Sequence, residues 1–463
     1  MIRQKEISCI ELLSTFYNQI LKYNPTINAV TDIFPLDELL KEAKKKDELI
    51  NNGIIEGLLH GIPLTVKDVF SVIGLKTTIG NPLMRKHIAQ ENAVLINSLK
   101  KAGAIIIGKT NLPLFSMDWK SENSWFGRTL NPYDVQRSPG GSSGGSAAAL
   151  ASGFTPLELG SDAGGSIRVP AHYCGICGLR TSEGLLSNDG NMEVPGRPHG
   201  LKYITVPGPM ARNVKDLDIM LKVFLNKDIV NNDLADGTPS ECKPLNIAYS
   251  LVLGGVQIDV EYKKVIKSFL EKLKKQGHNI VEEQPQYNSE KALLAWATIL
   301  GLDFRMAMPS IPFRGIIAAA FIYFRFKNKI WAKGTYNGAS GNKNSYAKAL
   351  EYKDEVGSNY DEFFMKYDIW LTPVAPDCAF KHQRTGKHFF TNKKKVPYTH
   401  AIGSFTFTTA LPGHPICVIP IDNIKNKMPV GIQIHAKKGS DENLLQIAQI
   451  LEKSTEGFKR PSL

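Results

Sequence analysis

The chain has 463 residues, 43% of them hydrophobic, and a formal net charge of +12. Length alone would suit about three domains of roughly 150 residues, and a chain this long buries ample core without disulfide or metal staples. The positive charge is thinly spread, with runs no longer than Lys44-Lys45-Lys46 and Lys393-Lys394-Lys395, which predicts a solvated basic surface rather than a dedicated nucleic-acid or membrane patch.

Six cysteines, Cys9, Cys174, Cys177, Cys242, Cys378 and Cys417, make no disulfide framework at this size. Cys174-Gly-Ile-Cys177 has no second pair or histidine at zinc spacing, so packing is its expected role and no metal or other cofactor is predicted. Met1 to Leu13 carries Arg3, Lys5, Glu6 and Glu11 without a cleavage pattern, and no apolar run reaches the ~18 residues of a spanning helix. The expectation is a soluble protein of the reducing cytoplasm.

Taken in order, the chain opens with a capping box, Ser8-Cys9-Ile10-Glu11, and with Ile10, Leu13, Tyr17, Ile20 and Leu21 at helical spacing, stopped by Asn24-Pro25. Pro35 opens a second amphipathic helix through Leu39, Leu40, Ala43 and Leu49, ended by Gly53. Ile62 to Phe70 reads as a buried strand, and it carries Lys67. A lysine there either snorkels to water or is desolvated, which lowers its pKa from ~10.4 toward the range of a useful base. A helix is predicted over 92–102 and a strand over 104–107. Gly103 to Thr110 spells G-x-x-x-x-G-K-T. The intervening residues are strand formers, and Asn111 and Pro113 stand where a helix should begin, so no phosphate loop is expected.

From Ser138 to Gly184 the chain reads SPGGSSGGSAAALASGF, then TPLELGSDAGGSIRVPAHYCGICGLRTSEG. Two glycine-serine clusters, Gly140 to Gly145 and Gly164-Gly165-Ser166, are joined by a helix signal (146–152) and a strand signal (157–160). Glycine is kept where backbone takes φ > 0 or comes close to something. Serines beside such bare N–H groups supply what acyl transfer needs, a nucleophile next to amides that hold an oxyanion. Gly141 to Gly145 also fits G-x-S-x-G. Pro139 and Gly140 precede it in place of a strand, and His382, His388, His400 and His414 sit in no recognisable setting, so a nucleophile elbow is not expected.

The stretch resembles the signature of the amidase signature family of serine hydrolases: GGSSGG, a helix, then G-S/T-D-x-GGSIR-x-P. Gly61 to Asp68 resembles the same family's lysine strand, and three separated pieces in order make the match specific. The resemblance runs from about Ile7 to Glu452, weakly over 225–365. It implies an α/β fold, a single large domain with a mixed central β-sheet covered by helices on both faces. It also implies a Ser-cisSer-Lys triad: Ser166 as nucleophile, Ser142 on a cis peptide after Gly141 as proton relay, and Lys67 as base. The implied oxyanion hole is the backbone N–H groups of Ala163, Gly164, Gly165 and Ser166, with Asp162 and Arg168 as supporting charges that hold the turn. Gly178-Leu179-Arg180-Thr181-Ser182 departs from the family's pattern in lacking a proline, and His414 is a second individual feature.

Farther on, 205–212 resembles the family's GPMAR turn, with helices predicted over 213–224 and 259–276 and strands over 245–249 and 278–283. Within 312–333, Ile316 to Phe324 is apolar and flanked by Arg314, Arg325, Lys327 and Lys329. A core helix is the first reading, as for most runs of about 10–14; an acyl-pocket wall or a surface resting on lipid are the sharper ones. Tyr367 to Pro373 and 413–433 resemble late core strands, and Ser440 to Asn443 caps a last helix over 444–453. The predicted organisation is an N-terminal helical pair (1–55), a core carrying the triad (61–220), a variable substrate-pocket region (221–365), and closing strands with a C-terminal helix (366–463).

The implied activity is hydrolysis of a carboxylic acid amide to acid and ammonia or amine, small or hydrophobic acyl groups preferred, by a monomer or homodimer. The alternative is the glutaminase subunit of a glutamyl-tRNA(Gln) amidotransferase, which the basic charge favours and the segment Leu185 to Gly200, unlike that subunit's loop, does not. Outside that alternative no nucleic-acid partner is expected, and peripheral membrane contact through 316–324 stays open. A catalytically silent amidase-fold binding protein is opposed by the presence together of Lys67, Ser142 and Ser166.

Overall fold

A computed structural model describes residues 1–192, 204–227, 243–307 and 313–463. Cys242, Pro312 and the 193–200 part of the loop singled out above lie outside the described residues.

The capping box forms as expected: Ser8 Oγ accepts from the Glu11 N–H at 3.1 Å and Glu11 accepts from the Ser8 N–H at 2.9 Å. It opens α1 (Cys9–Ile27), which outlasts the predicted stop and runs through Pro25. Pro25 gives up the bond its N–H would make to the Leu21 carbonyl, and the exit is closed by Asn28 in a left-handed conformation and by the Asn24 side chain, which accepts from the N–H groups of Ala29 and Val30. Leu21, expected in the apolar stripe, is exposed. A short strand not predicted, β1 (Val30–Ile33), precedes α2 (Leu36–Asn51).

The lysine strand is β2 (Pro63–Lys67), followed by α3 (Val94–Lys101) and β3 (Ile105–Thr110). Gly108, Lys109 and Thr110 lie within β3, and Lys109 is buried beside Asp68 at 3.4 Å, so the phosphate-loop letters are part of a strand. Two-residue strands β4 (Glu122–Asn123) and β5 (Gly127–Arg128) pair alone. The signature then folds as α4 (Gly144–Ala151), β6 (Leu157–Asp162), α5 (Arg168–Tyr173) and β7 (Cys177–Arg180). The segment expected to be a turn is β8 (Val206–Ala211), a fully buried strand between β6 and β7. β7 pairs with β8 only through Met210 and Ala211, so Pro207 and Pro209 lie beyond that ladder, where a missing N–H donor is tolerated.

Next come α6 (Val214–Phe224), β9 (Asn246–Tyr249), α7 (Val260–Lys275) and β10 (Asn279–Glu282). Four helices follow, α8 (Ser289–Ala307), α9 (Arg314–Phe326), α10 (Lys329–Ser340) and α11 (Lys343–Phe363). The chain closes with β11 (Ile369–Pro373), the hairpin β12 (Phe389–Thr391) and β13 (Lys394–Val396), α12 (Tyr398–Ala410), β14 (Ile416–Ile424), β15 (Met428–His435) and α13 (Asp441–Glu452). The last helix starts three residues before its predicted first turn, with Ser440 at the N-cap and Asp441 inside.

Eleven strands form one sheet in the order β1-β3-β2-β6-β8-β7-β14-β15-β11-β9-β10. It is mixed: β2 runs parallel to β3 and β6, β9 parallel to β10 and β11, and the strands between pair antiparallel. Side chains alternate between faces along a strand. Ile105 and Ile107 of β3 pack with α1 and α2, while Ile106 joins the main core on the other face. The same alternation sends Leu64 and Val66 of β2 into the main core, and Thr65 and Lys67 the opposite way. The molecule is thus a single large α/β domain, helices on both faces of a mixed sheet.

Candidate active site

Lys67 ends β2 and is completely buried. Its Nζ lies 2.6 Å from Ser142 Oγ, 3.0 Å from Ser161 Oγ and 3.4 Å from the Ser161 carbonyl oxygen. Burial pushes its pKa down to about 7, against the opposing pull of Asp162 and Glu158. The Glu158 carboxyl, on the adjacent strand, is in turn pushed up to about 8 by burial, although the hydroxyls of Thr65, Ser146 and Thr110 favour its ionised form.

Ser142 precedes α4, and the Gly141-Ser142 peptide is cis. Gly141 sits where a side chain would strike backbone, an added Cβ lying 2.4 Å from the Asp118 carbonyl oxygen. The two glycine-serine clusters touch directly, the Ser143 N–H donating to the Ser166 carbonyl at 3.0 Å. Ser142 Oγ pairs with Lys67 and, at 2.7 Å, with Ser116 Oγ. Ser166 is half-buried and lines the same cavity as Ser142, with no hydrogen bond between the two hydroxyls among the described residues.

The turn carrying Ser166 is held from both sides. Asp162 accepts from the N–H groups of Gly165 (2.8 Å) and Ile167 (3.0 Å) and pairs with Arg168 at 3.0 Å, both side chains fully buried. Against burial, which alone would raise it, Arg168 and then Arg180 hold the Asp162 carboxyl well below the usual carboxylate range. Arg168 also reaches Thr409 Oγ1 and Gln433 Oε1, tying the turn to α12 and β15. Arg180, at the departure from the family's pattern, is a second buried cation 3.8 Å from Asp162. On the opposite side two indoles donate to the turn's carbonyls, Trp296 to Ala163 at 2.7 Å and Trp119 to Gly164 at 3.1 Å. Of the four amides expected to form an oxyanion hole, that of Gly165 is therefore already bound to Asp162.

The cavity has a volume of about 340 Å³ and a largely apolar lining that includes the aromatic rings of Trp119, Trp296, Phe326, Trp331 and Phe407. Trp296 stacks on Phe407 with ring centroids 4.0 Å apart. A Cβ on Gly164 would lie 2.5 Å from the Phe407 ring, so glycine is required where backbone meets this wall. Asp118, also in the lining, is closed off by Tyr398 (2.6 Å), Thr385 (2.6 Å) and Arg325 (2.9 Å). The apolar stretch 316–324 is not a core helix: Ile316, Ile317, Tyr323 and Phe324 are exposed, while Ile322 and Phe326 pack inward.

Sequence reasoning missed Ser116, Trp119, Trp296, Trp331 and Phe407. The first two lie between recognisable motifs without periodicity, and the others come from helices far along the chain that meet the signature only in three dimensions. The histidines stand apart from the serines: His414 pairs with Asp361, His400 with Ser404, and His382 with the Val135 carbonyl. Cys174 and Cys177 are buried and form no disulfide.

Fold and site together define an α/β protein in which a buried amine and two serines open onto an apolar cavity. The sequence model of the Amidase family matches residues 11–445. The chain is 32% identical over 480 residues to a glutamyl-tRNA(Gln) amidotransferase A subunit of Clostridium acetobutylicum, covering 98% of this chain and 97% of that protein. It is 33% identical over 487 residues to the corresponding protein of Saccharolobus solfataricus, covering 98% and 95%. Among solved structures, one described as an amidase superposes with a TM-score of 0.81 at 24% identity, covering 98% of each chain. The glutamyl-tRNA(Gln) amidotransferase A subunit of Thermotoga maritima superposes with a TM-score of 0.76 at 23% identity, covering 99% and 98%; both show a common fold. The chain belongs to the amidase family, enzymes that act on C–N amide bonds.

Proposed function

We propose that the chain cleaves a carboxamide through an acyl-enzyme on Ser166, with Ser142 as proton relay and Lys67 as base. The observation that carries this is the 2.6 Å contact between the buried Lys67 amine and the Ser142 hydroxyl in a cavity that Ser166 also lines. A desolvated amine is in large part uncharged near neutral pH and can take the Ser142 proton while Ser142 takes that of Ser166. The Ser166 oxygen then attacks the carbonyl carbon. For this step the Ser166 hydroxyl turns toward Ser142, a tightening that substrate binding commonly brings. The N–H groups of Ala163, Gly164 and Ser166 hold the oxyanion, each donor being worth roughly 2.7–4 kcal/mol. The relay run backward protonates the leaving nitrogen, and water cleaves the acyl-enzyme by the same route. Asp162 and Arg168 keep the turn in place.

For the identity of the amide, the curated relatives support the glutaminase subunit of a glutamyl-tRNA(Gln) amidotransferase, working beside other subunits, ahead of the stand-alone amidase preferred on sequence grounds. One observation favours the stand-alone amidase: the cavity's lining is largely apolar, and among its described residues there is no lysine or arginine to pair with the α-carboxylate of free glutamine. A cytoplasmic monomer or homodimer completes that second reading.

Ammonia release separates them, measured from glutamine, benzamide and a long-chain primary amide, with the chain alone and co-expressed with amidotransferase partner subunits. Glutamine turnover confined to the co-expressed complex supports the first, and turnover of the apolar amides by the chain alone the second. Ser166→Ala lowers every such rate by about 10⁴-fold or more, and a variant working at the parent rate refutes the acyl-enzyme. Absence of labelling by a fluorophosphonate would instead support a silent binding protein.

A further inference from the structure

Ser142 Oγ has a neighbour that the relay does not use. Ser116 Oγ lies 2.7 Å away, on a turn just outside the glycine clusters, and it lines the cavity. Phe115 and Ser116 are consecutive non-glycine residues at φ 55 and 59. The turn is held there by the Phe115 N–H donating to the Ile79 carbonyl at 2.8 Å and the Ser116 N–H to that of Pro113 at 2.9 Å. Left-handed conformations in ordinary residues collect at functional sites, and this one aims a hydroxyl at the relay serine.

We propose that Ser116 is a positioning residue for the proton relay, its hydroxyl accepting from Ser142 when Lys67 is an ammonium and donating to Ser142 when Lys67 is a free amine. The inference rests on the Lys67-Ser142-Ser166 reading above. An ammonium has three donors and no acceptor, and Lys67 meets three oxygens: Ser142 Oγ, Ser161 Oγ and the Ser161 carbonyl. In that state Ser142 Oγ accepts from Lys67, and its own proton turns to Ser116. Once Lys67 is uncharged its lone pair receives the Ser142 proton. The Ser116 hydroxyl reverses and donates to the Ser142 oxygen, which gains negative character as it hands its proton on. The proton of Ser166 moves to Ser142, that of Ser142 moves to Lys67, and Ser116 keeps its own.

The sign of the effect follows. Without the Ser116 hydroxyl the ammonium state strands a buried O–H donor, whereas the free-amine state loses only one donor to an oxygen that keeps its bond to Lys67. A stranded donor is the worse loss, so the amine state gains relative weight and Lys67 deprotonates at lower pH. Of the groups that face Lys67, the Asp162 carboxylate favours the ammonium, Glu158, pushed up to about 8 by burial, does so only where it is ionised, and both are untouched by the change. Asp118, two residues from Ser116, is closed off by Arg325, Thr385 and Tyr398 and supplies no substitute.

The test uses the full chain and the second-order rate of labelling by an alkyl fluorophosphonate across pH. Ser116→Ala and Ser116→Gly both delete the hydroxyl but have opposite preferences for the left-handed backbone. Each is expected to move the acid limb of the profile to lower pH by about half a unit or more, and to slow labelling on the plateau about threefold to thirtyfold. An acid limb that stays in place in both variants, or moves in Ser116→Ala alone as a backbone effect would, overturns the proposal. Ser166→Ala run alongside keeps the readings apart, because labelling that persists there would sink the acyl-enzyme itself.

Discussion

At the scale of single residues, the position of Lys67 sets both an activity and a stability signature. Its pKa in the folded chain, about 7, lies below the ~10.4 of an unfolded lysine. Activity requires the free amine, so kcat/KM is expected to rise with pH through about 7 and level off above it. For stability the unfolded chain holds a proton that the folded chain lacks between those two values, so stability falls as pH drops through that window and the loss is complete below the folded pKa. Lys67→Met removes the penalty, and calorimetry is expected to give a higher Tm than the parent near neutral pH, by a few degrees, with activity abolished. A lower Tm would mean that the amine's hydrogen bonds outweigh its desolvation. Gly164 tests the turn: with Phe407 2.5 Å from the place of its missing Cβ, Gly164→Ala is expected to destabilise the fold by about 1–3 kcal/mol in urea titrations and to lower kcat/KM through displaced amides. Arg168 and Asp162 could be read as a pair from GSDAGGSIR alone, but Arg180 as a second cation on Asp162 could not, because the two meet across β6, β8 and β7.

At the scale of elements, α9 shows how an apolar run misleads. Nine consecutive residues from Ile316 to Phe324 resemble a core segment by composition, yet a helix offers several faces and only one is covered. Ile322 and Phe326 turn inward, and Phe326 stacks on Trp331 of α10 with ring centroids 4.6 Å apart. Phe326→Ala is expected to raise KM for bulky apolar amides about tenfold or more while leaving that for acetamide little changed. Ile316→Ser, on the exposed face, is expected to shift unfolding by no more than about 0.5 kcal/mol. Steady-state kinetics on amides of increasing size checks the first, and chemical denaturation the second. Segment 206–211 misled in the other direction: its glycine and prolines read as a turn, yet it fills a slot in the sheet where Gly208 passes close to the Leu179 carbonyl.

At the scale of the whole molecule, one sheet draws strands from nearly the full length of the chain, so the site is built on a single body. Among the described residues five cysteines are free and buried, and no helix is long and apolar enough to cross a membrane. Cohesion comes from packing and from the buried ion pairs around Asp162. The Tm is therefore expected to be the same with and without dithiothreitol in a thermal scan, and a drop on reduction would reveal a cross-link that the fold does not use.

What the sequence by itself determined was local: the capping box, the buried strand carrying Lys67, the glycine-serine clusters and their order, all carried by residues within a few positions of one another. Backbone conformation and close approach leave a direct trace in glycine, serine and proline, which is why these parts were legible. Only the tertiary structure decided which aromatic rings wall the cavity, that Ser116 meets Ser142, and which side of α9 faces inward. Those contacts join residues tens to hundreds of positions apart, and side-chain packing between distant elements follows from the mutual fit of surfaces, a property that no short stretch of sequence contains.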